Sequence, residues 1–122
     1  MLPHTRTAIL LFAACATAFS RSVITARLDD PKAIHLSAPA FDVHADGVAD
    51  DSAAFQAAID KAASDRQGGL VFIPQGRYRL ARTVYIRSGV RVFGYGASRP
   101  VFVLGANTPG FQKGMGVMVM FT

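Results

Sequence analysis

The sequence predicts an all-β chain with one helix, in which repeated short strands point to a β-solenoid. Three observations carry that expectation. After Gly69 the chain runs through short apolar segments with no second helical stripe. The segments recur: Val71 to Arg91 is twenty residues and Tyr78 to Val101 is twenty-three, the spacing at which solenoid coils repeat. Glycine turns punctuate them at Pro74-Gln75-Gly76, Ser88-Gly89 and Gly94-Tyr95-Gly96. Ser88-Gly89 is equally a hairpin signal, and strand alternation alone does not separate the two topologies.

With 122 residues the chain has room for one small domain. Residues 8–19, AILLFAACATAF, follow Arg6 and precede Ser20-Arg21. The run is shorter than the roughly 20 residues a bilayer span requires, and its basic start and small-residue end have the layout of a secretory signal. Cleavage after Ala18 is favoured over cleavage after Ser20. The expected division is therefore a signal peptide at 1–18, an extended leader at 19–40 and the folded part at 41–122. Cleavage removes the only cysteine, Cys15, so the mature chain relies on packing rather than disulfides. Phe12-Ala13-Ala14-Cys15 loosely fits a lipobox, which makes a lipid anchor on Cys15 the minor alternative to a freely secreted protein.

Charge is segregated along the chain. There is no glutamate, and all eight acidic residues lie between Asp29 and Asp65. From Arg66 onward come eight bases and no acid: Arg66, Arg77, Arg79, Arg82, Arg87, Arg91, Arg99 and Lys113. Such asymmetry fits an acidic partner, and export favours an acidic polysaccharide over nucleic acid. Solvated strand arginines, with their acidic neighbours in sequence beyond these 122 residues, account for it at least equally well.

One helix is readable. Asp50 or Asp51 is the expected N-cap, accepting from the free N–H groups of the first turn and facing the positive end of the dipole. Ala54, Phe55, Ala58, Ile59 and Ala62 share one face at helical spacing, with Phe55 and Ile59 as buried anchors. The helix is expected to end near Arg66, about four turns on, with Gly68-Gly69 as the left-handed stop. Phe41-Asp42-Val43 reads as a short strand and Asp46-Gly47 as a tight turn. Residues 21–40 read as lacking a fold of their own. In the strands, Tyr78, Leu80, Val84, Ile86, Val90 and Val92 fall on one face. Arg77, Arg79, Tyr85, Arg87 and Arg91 fall on the other, so a one-residue slip would bury arginines.

The stretches FDVHADGVADDSAAFQAAIDKAA, GGLVFIPQGRYRL and SGVRVFGYG resemble the N-terminal pectate-lyase-like (rhamnogalacturonase/epimerase-like) domain of the pectate-lyase superfamily. Asp46-Gly47, Asp50-Asp51-Ser52, Phe55-Gln56 and Ala58-Ile59-Asp60 match its opening. Gly68-Gly69, Val71, Ile73-Pro74, Gly76 and Tyr78 match its first coil, and Gly89-Val90, Val92, Gly94 and Gly96 the next. Asp42 and Ala45 stand where the family often has glycine, and Ser52 replaces threonine. The resemblance implies a right-handed parallel β-helix whose first end is capped by the helix. It also implies a carbohydrate-active parent, either a polysaccharide lyase or a glycoside hydrolase. A non-catalytic β-helix adhesin or polysaccharide-binding surface protein is the alternative.

The residues that invite chemistry each have a plainer reading. Asp50-Asp51 has the form of an acid–base pair for glycoside hydrolysis but is placed to cap a helix. His44, between Asp42 and Asp46, lacks the company a metal site needs, as does His35, and His4 belongs to the signal. Gly94-Tyr95-Gly96-Ala97 has neither the third glycine nor the helix of a phosphate loop. Tyr78, Tyr85 and Tyr95 are able to stack on sugars, yet tyrosine is an ordinary strand residue. No catalytic, cofactor-binding or metal-binding residue is therefore expected here. Calcium enters only if the parent is a lyase. The apolar end, residues 116–122, reads as a strand that continues into further sequence, so the chain is expected to be a fragment inactive by itself.

Overall fold

The protein is described by a computed structural model over residues 21–65 and 68–122. The signal-peptide expectation, with Cys15 and His4, lies outside the described residues, as does Arg66. Among the described residues there are eight short strands and one helix: β1 Ile34–His35, β2 Asp46–Asp50, α1 Ser52–Ala63, β3 Leu70–Pro74, β4 Arg77–Arg79, β5 Val84–Ile86, β6 Arg91–Tyr95, β7 Val101–Val103 and β8 Val119–Phe121.

Every pairing between these strands is parallel, and an isolated antiparallel bridge joins Arg21 to Ser98. The strands form three sheets, ordered β1-β3-β6, β2-β4-β7 and β5-β8. The chain thus visits the first sheet, then the second, then the third, and begins again. In the first circuit no strand occupies the third position; α1 follows β2 there and packs against β5. Because β5 and β6 lie in different sheets, Ser88-Gly89 is a corner and not a hairpin turn.

The rhythm read from the sequence is one residue short. Val71 pairs with Val92, an interval of 21, and Tyr78 with Phe102, an interval of 24. Side-chain parity is the reason. Val71 is interior, and only Val92, half-buried against the same core, continues its row; pairing with exposed Arg91 would turn that row outward. Predicted facing holds throughout: Tyr78, Leu80, Val84, Ile86 and Val90 are buried, whereas Arg77, Tyr85, Arg87 and Arg91 are exposed and Arg79 partly so.

The leader is not without structure. Ile34 and His35 pair with Val71 and Phe72, Leu36 is fully buried, and its N–H donates to the carbonyl of Phe72 at 2.9 Å. Phe41-Asp42-Val43 forms no strand. Asp46-Gly47 turns as expected, but inside a strand. Asp46 Oδ1 accepts from the N–H groups of Val48 and Ala49, and the register against β4 shifts between Asp46 and Asp50. The side chain folds the backbone onto itself, and the ladder resumes beyond the bulge.

Phe55 and Ile59 are buried as predicted, each worth about 1.5–3 kcal/mol of apolar burial, and Phe55 stacks on Phe102 at 5.2 Å between centroids. The helix is shorter than expected, twelve residues, with Ser64 at its C-cap in ordinary right-handed conformation. Gly68 has φ +78° but belongs to the turn that follows, where its N–H donates to Asp65 O. There it meets Gly89, also left-handed, one circuit on. A Cβ on Gly68 would sit 2.2 Å from the Gly89 carbonyl oxygen, so the two corners stack this closely because Gly68 lacks a side chain.

Candidate functional site

Asp50 and Asp51 do different work, and only one resembles the expected cap. Asp51 occupies the N-cap position, yet its side chain makes no bond to the helix. Its carboxylate, fully buried, accepts from the backbone N–H of His44 at 2.7 Å and of Ala45 at 3.0 Å, and lies 3.3 Å from His44 Nδ1. Its own N–H donates to Arg79 O and its carbonyl starts the helix by accepting from Phe55 N. Asp51 therefore fastens the 44–45 segment, β4 and α1 at one point. Asp50 Oδ1 takes the first free helical N–H, that of Ser52, together with the Ser52 hydroxyl and the Ala81 N–H. Burial pushes the Asp50 carboxyl up, but the bonds from Ser52 and Ala81 and the nearby Arg82 outweigh it and hold it below its ordinary value.

His44 faces Asp51 rather than a set of ligands, and no group of three or more His, Cys, Asp or Glu side chains able to hold a metal stands together among the described residues. His35 joins an aromatic cluster on the outer side of the first sheet. Its ring lies 5.3 Å from Phe72, which lies 6.0 Å from Phe93, and Tyr95 stands edge-on to both His35 and Phe72. Nδ1 of His35 is buried without a hydrogen-bond partner, and burial, then Arg27, lowers its pKa against the opposing pull of Asp29 and Asp30. The cluster was not legible in the sequence, because its members come from three circuits, His35 on β1, Phe72 on β3, and Phe93 and Tyr95 on β6.

The helix and β5 meet edge to edge, and side chains from α1 serve where a neighbouring strand would. Gln56 Oε1 accepts from Tyr85 N–H at 2.8 Å while Gln56 Nε2 donates to Tyr85 O at 3.1 Å. One side-chain amide thus reproduces both bonds of a strand residue. Ser52 Oγ accepts likewise from Ala81 N–H at 2.9 Å and Arg82 N–H at 3.2 Å. An open sheet edge is a template for unwanted pairing, and here it is satisfied by two side chains one helical turn apart.

Above this seam lies an open groove of about 450 Å³. Its helix wall is Ala53 and Ala57, and its strand wall is the outward ring of Tyr85, 41 % exposed. Arg87 Nε bonds Asp60 Oδ1 at 3.3 Å, both side chains half-exposed, and Arg82 lines the groove at the far end of the strand. Of the three tyrosines named from sequence, only Tyr85 offers a ring in this way. Tyr78 is interior, its hydroxyl donating to Pro74 O and burial pushing its pKa up to about 12, and Tyr95 sits in the aromatic cluster.

Space also answers the charge segregation. Successive circuits set acids beside bases: Asp46 opposite Arg77, Asp50 opposite Arg79, and Asp60 on Arg87. The acidic neighbours of these three arginines lie one circuit earlier in this same chain, and of the three only Arg87 forms an ion pair with its acid.

The chain is 42 % identical over 66 residues to the mannuronan C5-epimerase AlgE2 of Azotobacter vinelandii, covering 48 % of this chain and 6 % of that protein. It is 43 % identical over 63 residues to AlgE1 of the same organism, covering 46 % and 4 %. The chain therefore spans less than a tenth of the length of these relatives. No solved structure matches significantly. Residues 36–120, most of the described chain, match the family described as rhamnogalacturonase A/epimerase, pectate lyase-like, and it is to this family that the chain belongs.

Proposed function

We propose that this chain is the opening segment of an exported, carbohydrate-active right-handed parallel β-helix protein, whose first end α1 closes. The observation that carries the reading is the three-sheet parallel circuit in which α1 takes the place of a strand and its side chains satisfy the edge of β5. A solenoid needs such a cover at its first coil. Family membership and the likeness to mannuronan epimerases support a parent that acts on polysaccharides, and a uronate polymer is the class we favour. That chemistry is lyase, hydrolase or epimerase. Among the described residues no helix is long and apolar enough to cross a membrane, in keeping with export directed by residues 1–18.

The segment itself is scaffold rather than active site. Hydrolysis through an acid and a base requires two carboxyl groups facing one glycosidic bond, whereas the groove carries one carboxylate, Asp60, already engaged by Gln56 and Arg87. Calcium would enter with a lyase parent, through carboxylates beyond this segment. The test is to assay residues 19–122 and the product of the continuous reading frame on mannuronan, pectate, rhamnogalacturonan and β-glucans, with and without calcium. Turnover or epimerisation by the longer protein alone is expected. Turnover by 19–122 that a single substitution abolishes would overturn the scaffold assignment. A longer protein that neither binds nor converts any of these polymers would overturn the carbohydrate reading.

A further inference from the structure

We propose that the groove between α1 and β5 is a binding subsite for a uronate-bearing oligosaccharide, with Tyr85 as its platform and Arg82 and Arg87 as its carboxylate-binding groups. The inference rests on the carbohydrate reading above and adds a location and a ligand chemistry to it.

Backbone recognition is closed off at this place. Both polar groups of Tyr85 are taken by Gln56, so no ligand or strand adds to the edge, and what remains exposed is the side-chain face. That face has the parts a sugar acid uses. The ring of Tyr85 is fixed on a strand whose flanking residues, Val84 and Ile86, are buried, so stacking a pyranose on it costs little conformational entropy. In register with Tyr85 on the next strand is Met120, also 41 % exposed. The apolar strip therefore continues across the sheet at the strand spacing of about 4.8 Å, giving an extended chain a second surface. On the other side, Ala53 and Ala57 leave room where larger residues would fill the groove.

Hydrogen-bonding capacity selects the ligand. Among the described residues Arg82 makes no side-chain hydrogen bond, although its charge also acts on Asp50, and Arg87 bonds through Nε alone, leaving the rest of its planar fork unengaged. Asp60 Oδ1 already accepts two bonds, from Gln56 and Arg87. Donors therefore outnumber acceptors, and two arginines against one aspartate line the site. Arginine forks match carboxylates in a planar, two-bond geometry, whereas a neutral sugar would leave that capacity to water. With four residues between them, Arg82 and Arg87 lie at most about 16 Å apart along the chain, on either side of the Tyr85 ring, which suits them to carboxyls on separate units of an oligomer.

The experiment is calorimetric titration of the 122-residue chain with a short oligomannuronate and with the same oligomer after reduction of its carboxyls to alcohols. Binding of the acidic oligomer is expected, weakening as salt is raised, with the reduced oligomer at least about tenfold weaker. Tyr85→Ala and the double change Arg82→Gln with Arg87→Gln should each weaken binding about tenfold or more while the circular dichroism spectrum is unchanged. Arg99→Gln, remote from the groove, should bind as the parent does. Equal binding of the reduced oligomer would overturn the uronate assignment. Undiminished binding by the Tyr85 and arginine variants would overturn the location. Absence of binding to either oligomer would overturn the subsite altogether. None of these outcomes touches the carbohydrate reading, which the polymer assays of the longer protein decide.

Discussion

Asp51 joins three segments, its buried carboxylate holding residues 44–45 and its backbone bonding β4 and α1, and its neighbour Asp50 is a partly exposed carboxylate that serves the helix start. A helix-cap role alone would limit the loss on truncation to about 1–2 kcal/mol. Since Asp51→Ala strands the N–H groups of His44 and Ala45, it should cost about 3 kcal/mol. Asp50→Ala should cost about 1–2 kcal/mol. Urea denaturation of the two variants distinguishes them, and equal losses would mean that Asp51 acts as an ordinary cap. Acid sensitivity follows from the groups whose pKa is displaced. His35 titrates lower when folded, so the unfolded chain binds more protons and stability falls as pH drops below 6.5. Asp46 and Asp50 are also held low when folded, through backbone bonds at Asp46 and the Ser52 and Ala81 bonds at Asp50. Their contribution is present above pH 3.8 and is lost as pH falls below it. His35→Phe should flatten the upper window and leave the lower one unchanged in a pH series of thermal midpoints. From the sequence, Asp50-Asp51 was recognisable as structural, but the division of labour was not, because the partners of Asp51 precede it by six and seven residues in a segment with no regular pattern.

At the scale of elements, the helix face and the strand faces were legible because each follows a fixed period, 3.6 or 2. Phe55, Ile59, Leu80, Val84 and Ile86 are all where that periodicity puts them. The two-residue β1 was not legible, since Ile34-His35 is too short to carry an alternation and gains its order from β3. Pairing offsets escaped as well: corner lengths set them, and a strand's sequence does not record which neighbour it meets. The Gly68–Gly89 corner contact gives a sharp test of the stacked circuits. Gly68→Ala forces a Cβ onto the Gly89 carbonyl and demands positive φ from alanine. The φ alone costs about 1–2 kcal/mol, and the clash adds to it. Gly110→Ala, at φ +87° with open space around it, should cost only the former. A Gly68 variant no less stable than the Gly110 variant would show that the corners do not meet.

For the molecule as a whole, the acid-rich first half and base-rich second half become one mixed surface because parallel circuits lay the first beside the second. A linear reading sees segregation where the fold sets Arg77, Arg79 and Arg87 beside acids. The groove escaped sequence analysis for a related reason: Ala53, Asp60, Arg82, Tyr85 and Arg87 come together only once α1 replaces a strand. That replacement is the central claim, and amide hydrogen exchange at Tyr85 tests it most directly. If the Gln56 side chain stands in for a strand, the Tyr85 N–H is protected in the parent chain. In Gln56→Ala it exchanges at least about tenfold faster, consistent with the loss of about 1.4 kcal/mol or more of local stability, while Val71 and Val92 keep their protection. A Tyr85 amide that exchanges freely in the parent, or stays equally protected without Gln56, would contradict the account.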